Sequence, residues 1–227
     1  MPKKDRILQT AVDIFREKGK NTTISEIGKK AGVTDSIIYH YFENKEDLLF
    51  HAAGEQLKAL TEILKKHLEN HPDPLDRLRE FMHLQLHYHD TNPNYTNLTI
   101  FECRSKERFF HHDAFGYFRN WTVFMRDILV ECMEKGIFRQ DLHVPVVRDA
   151  IFGLLDMESI HSLAAREIDE AHRDMDDIMA LLLPMLTPEK KPRPDDSDKA
   201  ARILAAAEGD FAEKGYDSAT TLDISKR

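Results

Sequence analysis

Histidine is the first residue type in this chain whose number and spacing could support chemistry. His83, His87 and His89 occur within one predicted helix, and His83 and His87 are one turn apart, a spacing that can chelate a transition metal. His111 and His112 follow later. No cysteine or carboxylate cluster completes an obvious site, and a chain with 12 histidines contains such pairs by chance. We therefore expect solvated or pocket-lining histidines and no metal site.

Residues for nucleophilic catalysis are scarce. Cys103 and Cys132 occupy ordinary helix positions, and two cysteines fit a reducing compartment. The sequence has neither a glycine-rich phosphate loop nor a Gly-x-Ser-x-Gly elbow. We expect no enzyme activity and no cofactor.

A third group of residues suits contacts with DNA. Thr23 and Thr34 are at the N-termini of two short predicted helices, where a hydroxyl and free amides can contact a phosphate oxygen. A turn at Gly32 separates these helices, which is the pattern of a helix-turn-helix. The second helix of such a motif fits the DNA major groove, with its N-terminal side chains towards the base edges.

Three predicted helices must hold these residues. Residues 4–18 place apolar side chains on one face at helical spacing, and Gly19 suits a C-terminal cap. Thr23 and Glu26 have the spacing of a capping box. A long helix follows from Asn44. The apolar residues expected to form the core of this head, without touching DNA, are Phe15, Ile27, Ile38 and Phe42.

The rest of the pattern is helical as well, which predicts an all-α fold. Periodic apolar residues continue to about Met185, with breaks at prolines and glycines and without convincing strand alternation. We predict a helix-turn-helix domain at 1–50, a helical effector-binding and dimerisation domain at 51–186, and a proline-rich linker at 187–197.

Charge and composition agree with a cytoplasmic protein. The net charge is −8, but residues 1–50 contain nine Lys or Arg and eight Asp or Glu, so the acidic excess lies outside the predicted head. The charged N-terminus has no signal-peptide core, and no apolar stretch is long enough for a membrane span. We expect no membrane partner.

Residues 33–48, Val-Thr-Asp-Ser-Ile-Ile-Tyr-His-Tyr-Phe-Glu-Asn-Lys-Glu-Asp-Leu, resemble the N-terminal signature of the tetracycline-repressor (TetR) family. The preceding run from Ile7 to Val33 is similar to the first two helices of the same family. The resemblance implies a three-helix DNA-binding head and a fourth helix that links it to a ligand-binding body. It also implies a homodimer, built from the last two helices of that body, which binds double-stranded operator DNA.

The resemblance assigns roles in DNA binding by position. It implies that Tyr39 contacts phosphate, with packing alone as the alternative for both Tyr39 and Tyr41, and that Lys45 contacts the backbone as a mobile cation. The side chains expected to reach base edges are Asp35, Ser36 and His40. The full predicted set is Thr23, Thr34, Asp35, Ser36, Tyr39, His40, Tyr41 and Lys45.

Residues 97–105, Asn-Leu-Thr-Ile-Phe-Glu-Cys-Arg-Ser, resemble a segment of the fatty-acid-responsive, acyl-CoA-binding branch of the TetR family. The resemblance implies that a buried Arg104 binds a CoA phosphate and that aromatic residues surround an acyl tail. The ligand-binding residues implied are Phe101, Arg104, Phe124, Met125 and Phe152. The alternative is a structural ion pair between Glu102 and Arg104 amid ordinary core residues.

The end of the chain repeats its beginning. Residues 202–215 restate residues 6–19 at a constant offset, including Ile203 for Ile7 and Phe211 for Phe15. The start of a second capping pattern follows at Thr220, with Ile224 in the place of Ile27. The sequence therefore predicts an incomplete second TetR-like head at 198–227.

These features predict a sequence-specific transcriptional regulator, expected to be a repressor, that a small-molecule effector releases from operator DNA. A long-chain acyl-CoA is the candidate effector. We expect the ligand to tilt the long helix 44–67. The dimer surface is expected within 144–186, especially at Val147, Ile151, Leu154, Leu155, Ile160, Leu163, Ile178, Leu181 and Leu182. Two alternatives stay open. One is an enzyme or metal protein with an accessory DNA-binding head, which bound metal or turnover of a small molecule would favour. The other is an interaction module with an inactive head, which absence of DNA binding at low salt would favour.

Overall fold

The computed structural model describes residues 1–165, 170–188 and 194–215 of the 227-residue chain. The chain divides into two compact units, residues 1–187 and 188–227. Within the described ranges all regular structure is helical and no strand occurs, so the predicted all-α class is confirmed. No described helix combines the length and the apolar character that crossing a membrane requires.

The head consists of three short helices whose bounds are α1 Lys3–Lys18, α2 Ile24–Ala31 and α3 Asp35–Tyr41. The predicted capping box is present: the Thr23 hydroxyl accepts from the Glu26 backbone amide, and the Glu26 carboxylate accepts from the Thr23 amide. Gly32 ends α2 with a φ of 66°, in the left-handed region that favours glycine. Local sequence signals therefore set both ends of α2.

Gly28 allows the two helices of the helix-turn-helix to approach closely. A Cβ atom at this position would lie 2.9 Å from the backbone oxygen of Val33 and 3.1 Å from the Asp35 carboxylate. The core beneath contains the four predicted residues, Phe15, Ile27, Ile38 and Phe42, each at most 2% exposed. The head is thus a filled apolar core that holds α3 at its surface.

A long helix joins the head to the body. Helix α4 spans Lys45–Leu68, and the Asn44 side chain caps it by accepting from the Asp47 amide at 2.9 Å. Residues near its start pack in the head core, and Leu57, Leu60 and Leu64 pack in the body core. The same helix is therefore part of both hydrophobic cores.

The body packs helices around a second core. Their bounds are α5 Pro74–Thr91, α6 Pro93–Asn97, α7 Glu107–Phe110, α8 Phe115–Glu134, α9 Val144–Ile160 and α10 Met175–Leu186. A π-helical segment, Leu98–Cys103, lies between α6 and α7. Helix α5 contacts α4, α8, α9 and α10 and is the centre of this bundle.

Part of the predicted dimer surface is wrong. Ile151, Leu155, Ile178 and Leu182 are at most 8% exposed and pack in the chain's own core. Helices α9 and α10 each have an inner apolar face, and these four residues are on it. Leu181, from the same prediction, is 58% exposed.

The second unit contains helix α11, Pro194–Lys214. It begins inside the predicted linker at 187–197, because proline is compatible with the first helical turn, where its missing N–H is not needed. Ile203 and Leu204, the counterparts of Ile7 and Leu8, are 53% and 64% exposed. Residues 189–193 of the predicted linker and the second capping pattern at Thr220 and Ile224 lie outside the described residues.

Candidate DNA interface and effector cavity

Helix α3 exposes the side chains predicted to contact DNA. Ile38 is fully buried, whereas Tyr39 is 53% exposed, and Asp35, Ser36 and His40 are also exposed. Thr34 precedes the helix as its N-cap, and its side chain makes no capping hydrogen bond. Its hydroxyl and the first amides of α3 are therefore available to a phosphate oxygen.

The other predicted DNA contacts already have partners in the protein. The Thr23 hydroxyl both accepts from the Glu26 amide at 3.2 Å and donates to its carboxylate at 3.1 Å. Tyr41 is half-buried, with its ring edge-on to His40. Lys45 Nζ donates to the Lys20 carbonyl at 2.8 Å. These contacts order the residues, and their roles on DNA stay predictions.

Ion pairs join the head to the segment 104–112 of the body, which we call the joint segment. Lys106 binds Glu46, and Arg108 binds Glu43. Asn94, on α6, adds two hydrogen bonds from its side-chain nitrogen to the carbonyls of residues 16 and 17, at 2.8 Å and 3.0 Å. Each contact fixes a body residue against the head, so movement of the joint segment reaches the start of α4.

A partly buried hydrogen bond reinforces the same joint. His112 Nε2 lies 2.8 Å from the Asp47 carboxylate, and His112 Nδ1 accepts from the Ala114 amide at 3.0 Å. Because Nδ1 is an acceptor, the ring proton is on Nε2 and is donated to Asp47. Burial raises the pKa of Asp47, but hydrogen bonds from His112 and the Glu43 amide outweigh it, so the net pKa lies below its usual value.

A cavity of about 490 Å³ lies in the body. Its wall is mostly apolar and aromatic, with contributions from α4, α5, α8, α9 and the π-helical segment. The lining residues are Leu57, Leu60, Gln85, His89, Tyr95, Thr99, Ile100, Arg104, Phe110, Phe115, Phe118, Arg119, Trp121, Thr122, Arg148, Asp149, Phe152, Gly153 and Asp156. This volume is within the usual range for small-molecule sites.

Three arginines are on the cavity wall. Arg104 Nη1 pairs with Asp156 at 2.5 Å, and Arg148 Nη2 pairs with Asp149 at 2.7 Å. Arg119 is exposed, and its guanidinium lies 5.7 Å from the centre of the Phe115 ring. No carboxylate of the described residues pairs with Arg119. The wall thus combines positive charge with an apolar lining.

Polar groups also occur inside the cavity. Trp121 Nε1 donates to the Gln85 side-chain oxygen at 2.9 Å, and His89 Nδ1 lies 2.8 Å from Ser159 Oγ. Burial lowers the pKa of His89 to about 4, so the ring is neutral at pH 7. The pKa of Tyr95 is raised well above its usual value by burial.

Two of the five predicted ligand residues, Arg104 and Phe152, line this cavity. The other three do not line it. Phe101 is 43% exposed and lines a separate groove beside Gly19, whereas its neighbour Ile100 lines the cavity. Phe124 is on another face of α8 and lines a different groove, whereas Met125 is on the cavity face but lies beyond the lining residues, fully buried in the core.

Two further details of the ligand prediction change. Arg104 is 43% exposed at its side chain rather than buried. The ion pair between Glu102 and Arg104 is absent from the described structure; Arg104 pairs with Asp156, and Glu102 lies 3.9 Å from Lys106. Burial raises the pKa of Asp156, against the effect of Arg104.

Sequence reasoning missed several cavity residues. Arg148 and Asp156 lie one turn before and one turn after Phe152, so they share its face of α9. Extending that face by one turn in each direction would have found both. Arg119 had no such local signal, because its place on the wall depends on how α8 packs against α9.

The predicted histidine pair has a different environment from a metal site. The His83 and His87 rings are stacked with centroids 6.1 Å apart, and His172 lies edge-on to both. The ligand-type clusters among the described residues involve other histidines: Asp47 with His51 and His112, and His67 with His71 and Glu80. In the cluster of Asp47, His51 and His112, the Nε2 atom of His112 carries the ring proton, so it has no lone pair for a metal ion.

Both parts of the chain match known family models. Residues 7–52 match the model of bacterial regulatory proteins of the tetR family, and residues 53–175 match the C-terminal region of the YsiA-like protein. The second match alone covers more than half of the chain.

Individual relatives agree with these matches. The fatty acid metabolism regulator protein of Bacillus subtilis is 26% identical over 156 residues, which are 68% of this chain and 80% of the relative. The transcriptional repressor KstR2 of Mycolicibacterium smegmatis is 29% identical over 160 residues, 64% of this chain and 72% of the relative. The crystal structure of Bacillus subtilis FadR in complex with stearoyl-CoA has a TM-score of 0.68 and 23% identity, and the match covers 78% of this chain and 96% of that chain.

Three findings agree with one another. The structure has a helix-turn-helix with an exposed recognition helix, its body contains a cavity, and the two family models match the head and the body in that order. The predicted family is therefore confirmed: this chain belongs to the TetR family and is a DNA-binding transcriptional regulator.

Proposed function

We propose that this regulator is a cytoplasmic, homodimeric repressor that leaves its operator when a long-chain acyl-CoA enters the body cavity. The observation that carries the proposal is the combination of Arg104, Arg119 and Arg148 with an aromatic and aliphatic lining around one cavity of about 490 Å³. Guanidinium groups suit the phosphates of CoA, and the apolar wall suits an acyl chain. The stearoyl-CoA complex of the structural relative supports the same class of ligand.

The apolar lining predicts how affinity depends on chain length. Each methylene that leaves water for an apolar site contributes about 0.8 kcal/mol, which is about fourfold in affinity. Affinity is expected to rise along a series of acyl-CoAs until the cavity is full and then to level off or fall, because a longer chain must expose carbon to water or displace the wall.

The position of Arg104 suggests how the ligand reaches the head. Arg104 lines the cavity and is the first residue of the joint segment. Two later residues of that segment, Lys106 and Arg108, form ion pairs with the head. A ligand phosphate that competes with Asp156 for Arg104 would move this segment. The ion pairs would then shift the start of α4 and, with it, the spacing of the two recognition helices of a dimer.

The exposed faces of α9 and α10 support a dimer through these two helices. On α9 the exposed face contains Val146, Ala150, Gly153 and Met157, and on α10 it contains Ala180, Leu181, Pro184 and Met185. Four of these residues, Val146, Met157, Leu181 and Met185, are between 48% and 61% exposed. Exposed apolar stripes on two helices of one protein are typical of a surface that a second copy covers.

The experiment is calorimetry and DNA release with palmitoyl-CoA, palmitate and CoA. We expect palmitoyl-CoA to bind, raise the melting temperature and release operator DNA, with the separate halves far weaker. Arg119→Ala and Arg148→Ala should each weaken palmitoyl-CoA binding by about tenfold. Arg126→Ala is the matched control, because Arg126 is exposed on α8 and pairs with Asp127 rather than lining the cavity. Failure of every acyl-CoA to bind would disprove the proposal.

A further inference from the structure

The cavity contains three buried polar groups without a hydrogen-bond partner in the described protein. Gln85, His89 and Tyr95 line the cavity and are 4%, 8% and 2% exposed. The Gln85 side-chain nitrogen, His89 Nε2 and the Tyr95 hydroxyl make no hydrogen bond to any described residue. Buried polar groups in native proteins are nearly always paired. Because none of these three atoms is sealed off from the open cavity, their hydrogen bonds must come from whatever occupies it.

The neighbouring hydrogen bonds define what each group can do. Because Trp121 donates to the Gln85 oxygen, the Gln85 amide nitrogen is left as a donor. Ser159 Oγ donates to the Leu155 carbonyl at 2.8 Å, so it accepts the proton of His89 Nδ1. With the ring neutral at pH 7, His89 Nε2 is left as an acceptor. The wall thus presents a donor and an acceptor.

The spacing of these two groups suits a single ligand group. Gln85 and His89 are one turn apart on the same face of α5, which places their Cβ atoms about 5–6 Å from each other. A group between them that accepts from Gln85 and donates to His89 would make two hydrogen bonds of ordinary length, about 2.8–3.0 Å each. A hydroxyl or a secondary amide can do both, whereas a methylene can do neither.

We propose that the effector places a group that both donates and accepts a hydrogen bond between Gln85 and His89, with the Tyr95 hydroxyl as a third contact. The proposal rests on the acyl-CoA function proposed above. Two parts of such a ligand have this chemistry: a hydroxyl on the acyl chain and an amide of the pantetheine arm. An unsubstituted acyl chain at this position would leave all three polar groups buried without a partner.

The experiment compares matched ligands on the full chain. Calorimetry would measure palmitoyl-CoA and hydroxypalmitoyl-CoAs that carry one hydroxyl at different carbons. The variants are Gln85→Leu and Tyr95→Phe, with Tyr88→Phe as the matched control, because Tyr88 contacts the Tyr95 ring but does not line the cavity. Tyr95→Phe removes only a hydroxyl that no described residue binds, so the fold should be unchanged, and circular dichroism with melting curves checks this.

Two results would support the proposal and separate the two sources. If the acyl chain supplies the group, one hydroxypalmitoyl-CoA should bind about tenfold or more tighter than palmitoyl-CoA, and Gln85→Leu should abolish the difference. If the pantetheine arm supplies it, palmitoyl-CoA and all the hydroxypalmitoyl-CoAs should bind the wild type alike, and each should lose about tenfold in both variants, with Tyr88→Phe unchanged.

Two results would overturn it. In the first, Gln85→Leu and Tyr95→Phe bind palmitoyl-CoA as tightly as the wild type or more tightly, and no hydroxyl on the acyl chain increases affinity. This result would show that an aliphatic chain occupies this part of the cavity. The proposed function would then stand, and this inference would fail. If no acyl-CoA binds the wild type, both fail together.

Discussion

The head and the body of this regulator use their interiors in opposite ways. The head packs its apolar side chains into a filled core and presents its polar residues outward on α3. The body surrounds a cavity with polar and charged groups that face inward, among them Gln85, His89 and Arg148. A filled core resists deformation, whereas a cavity leaves room for its wall to change. A conformational change in the body can therefore move the head as a unit without changing the packing of the head core.

The sharpest test of this difference compares two phenylalanines. Phe15 is 1% exposed in the head core, and Phe152 is half-buried on the cavity wall. Phe15→Ala should lower the free energy of unfolding by about 3–5 kcal/mol, because it creates a new cavity in a filled core. Phe152→Ala should cost about 1 kcal/mol, since its ring already borders open space. Urea unfolding measures both, and equal losses would contradict the comparison.

The buried histidine of the body predicts a dependence on pH. The pKa of His89 falls from 6.5 to about 4 on folding, so the unfolded chain takes up a proton below pH 6.5 that the folded chain refuses. The contribution of His89 to stability should therefore decline by about 3 kcal/mol as the pH falls from 6.5 to 4. His89→Gln should remove this part of the slope. Identical pH slopes for the two proteins, from urea unfolding at each pH, would show that the ring is not buried as described.

Substitutions on the outer face of the head should affect DNA and not stability. Tyr39→Ala should weaken binding to operator and to unrelated DNA by a similar factor, about tenfold, because a phosphate contact does not read sequence. Lys45→Ala should flatten the plot of log affinity against log salt by about one unit. Titrations at several salt concentrations measure both effects. Normal binding by Tyr39→Ala at every salt concentration would remove the assignment of α3.

The base-reading residues provide the contrast for that experiment. Ser36→Ala and His40→Ala should change the preference among operator variants by about 1–3 kcal/mol at single base pairs and leave binding to unrelated DNA nearly constant. A uniform loss on all sequences would place these side chains on the backbone instead.

The joint segment predicts variants in which head and body work but do not communicate. Lys106→Ala and Arg108→Ala each remove one ion pair to the head, worth about 1 kcal/mol or less because both pairs are partly exposed. Ligand affinity and DNA affinity without ligand should change little, while the ratio of DNA affinities with and without acyl-CoA should shrink by up to about fivefold. Lys135→Ala, which breaks the pair with Glu131 within the body, is the control. An unchanged ratio in both variants would argue against transmission through this segment.

The smallest expected effect is that of a substitution at Ile203, in the repeated sequence. Ile7 is fully buried and its counterpart Ile203 is 53% exposed. Ile7→Ala should cost about 2–5 kcal/mol, and Ile203→Ala should stay within about 0.5 kcal/mol. The same substitution in a similar local sequence should therefore lower the free energy of unfolding by different amounts, because tertiary contacts cover Ile7 and not Ile203. Thermal or urea unfolding of the two variants measures this, and a large loss for Ile203→Ala would show that its face is covered.

The helical class and the head could be predicted from local sequence patterns. The capping box at Thr23, the turn at Gly32 and the apolar spacing of α1 are local signals. Each depends on residues that are close to one another in the sequence. That is why the four predicted core residues of the head are all buried and the helix-turn-helix is where the pattern placed it.

The cavity, by contrast, depends on tertiary packing and could not be predicted from the sequence. Periodicity shows that a helix has an apolar face, but it does not distinguish a face that fills a core from one that borders a cavity, so Met125 and Phe152 could not be told apart. Arg119 meets the residues of α9 through helix packing, and Asp156 rather than Glu102 pairs with Arg104 because the chain folds back on itself. Such contacts depend on the angles and registers at which helices cross. These in turn depend on residues that are distant from one another in the sequence.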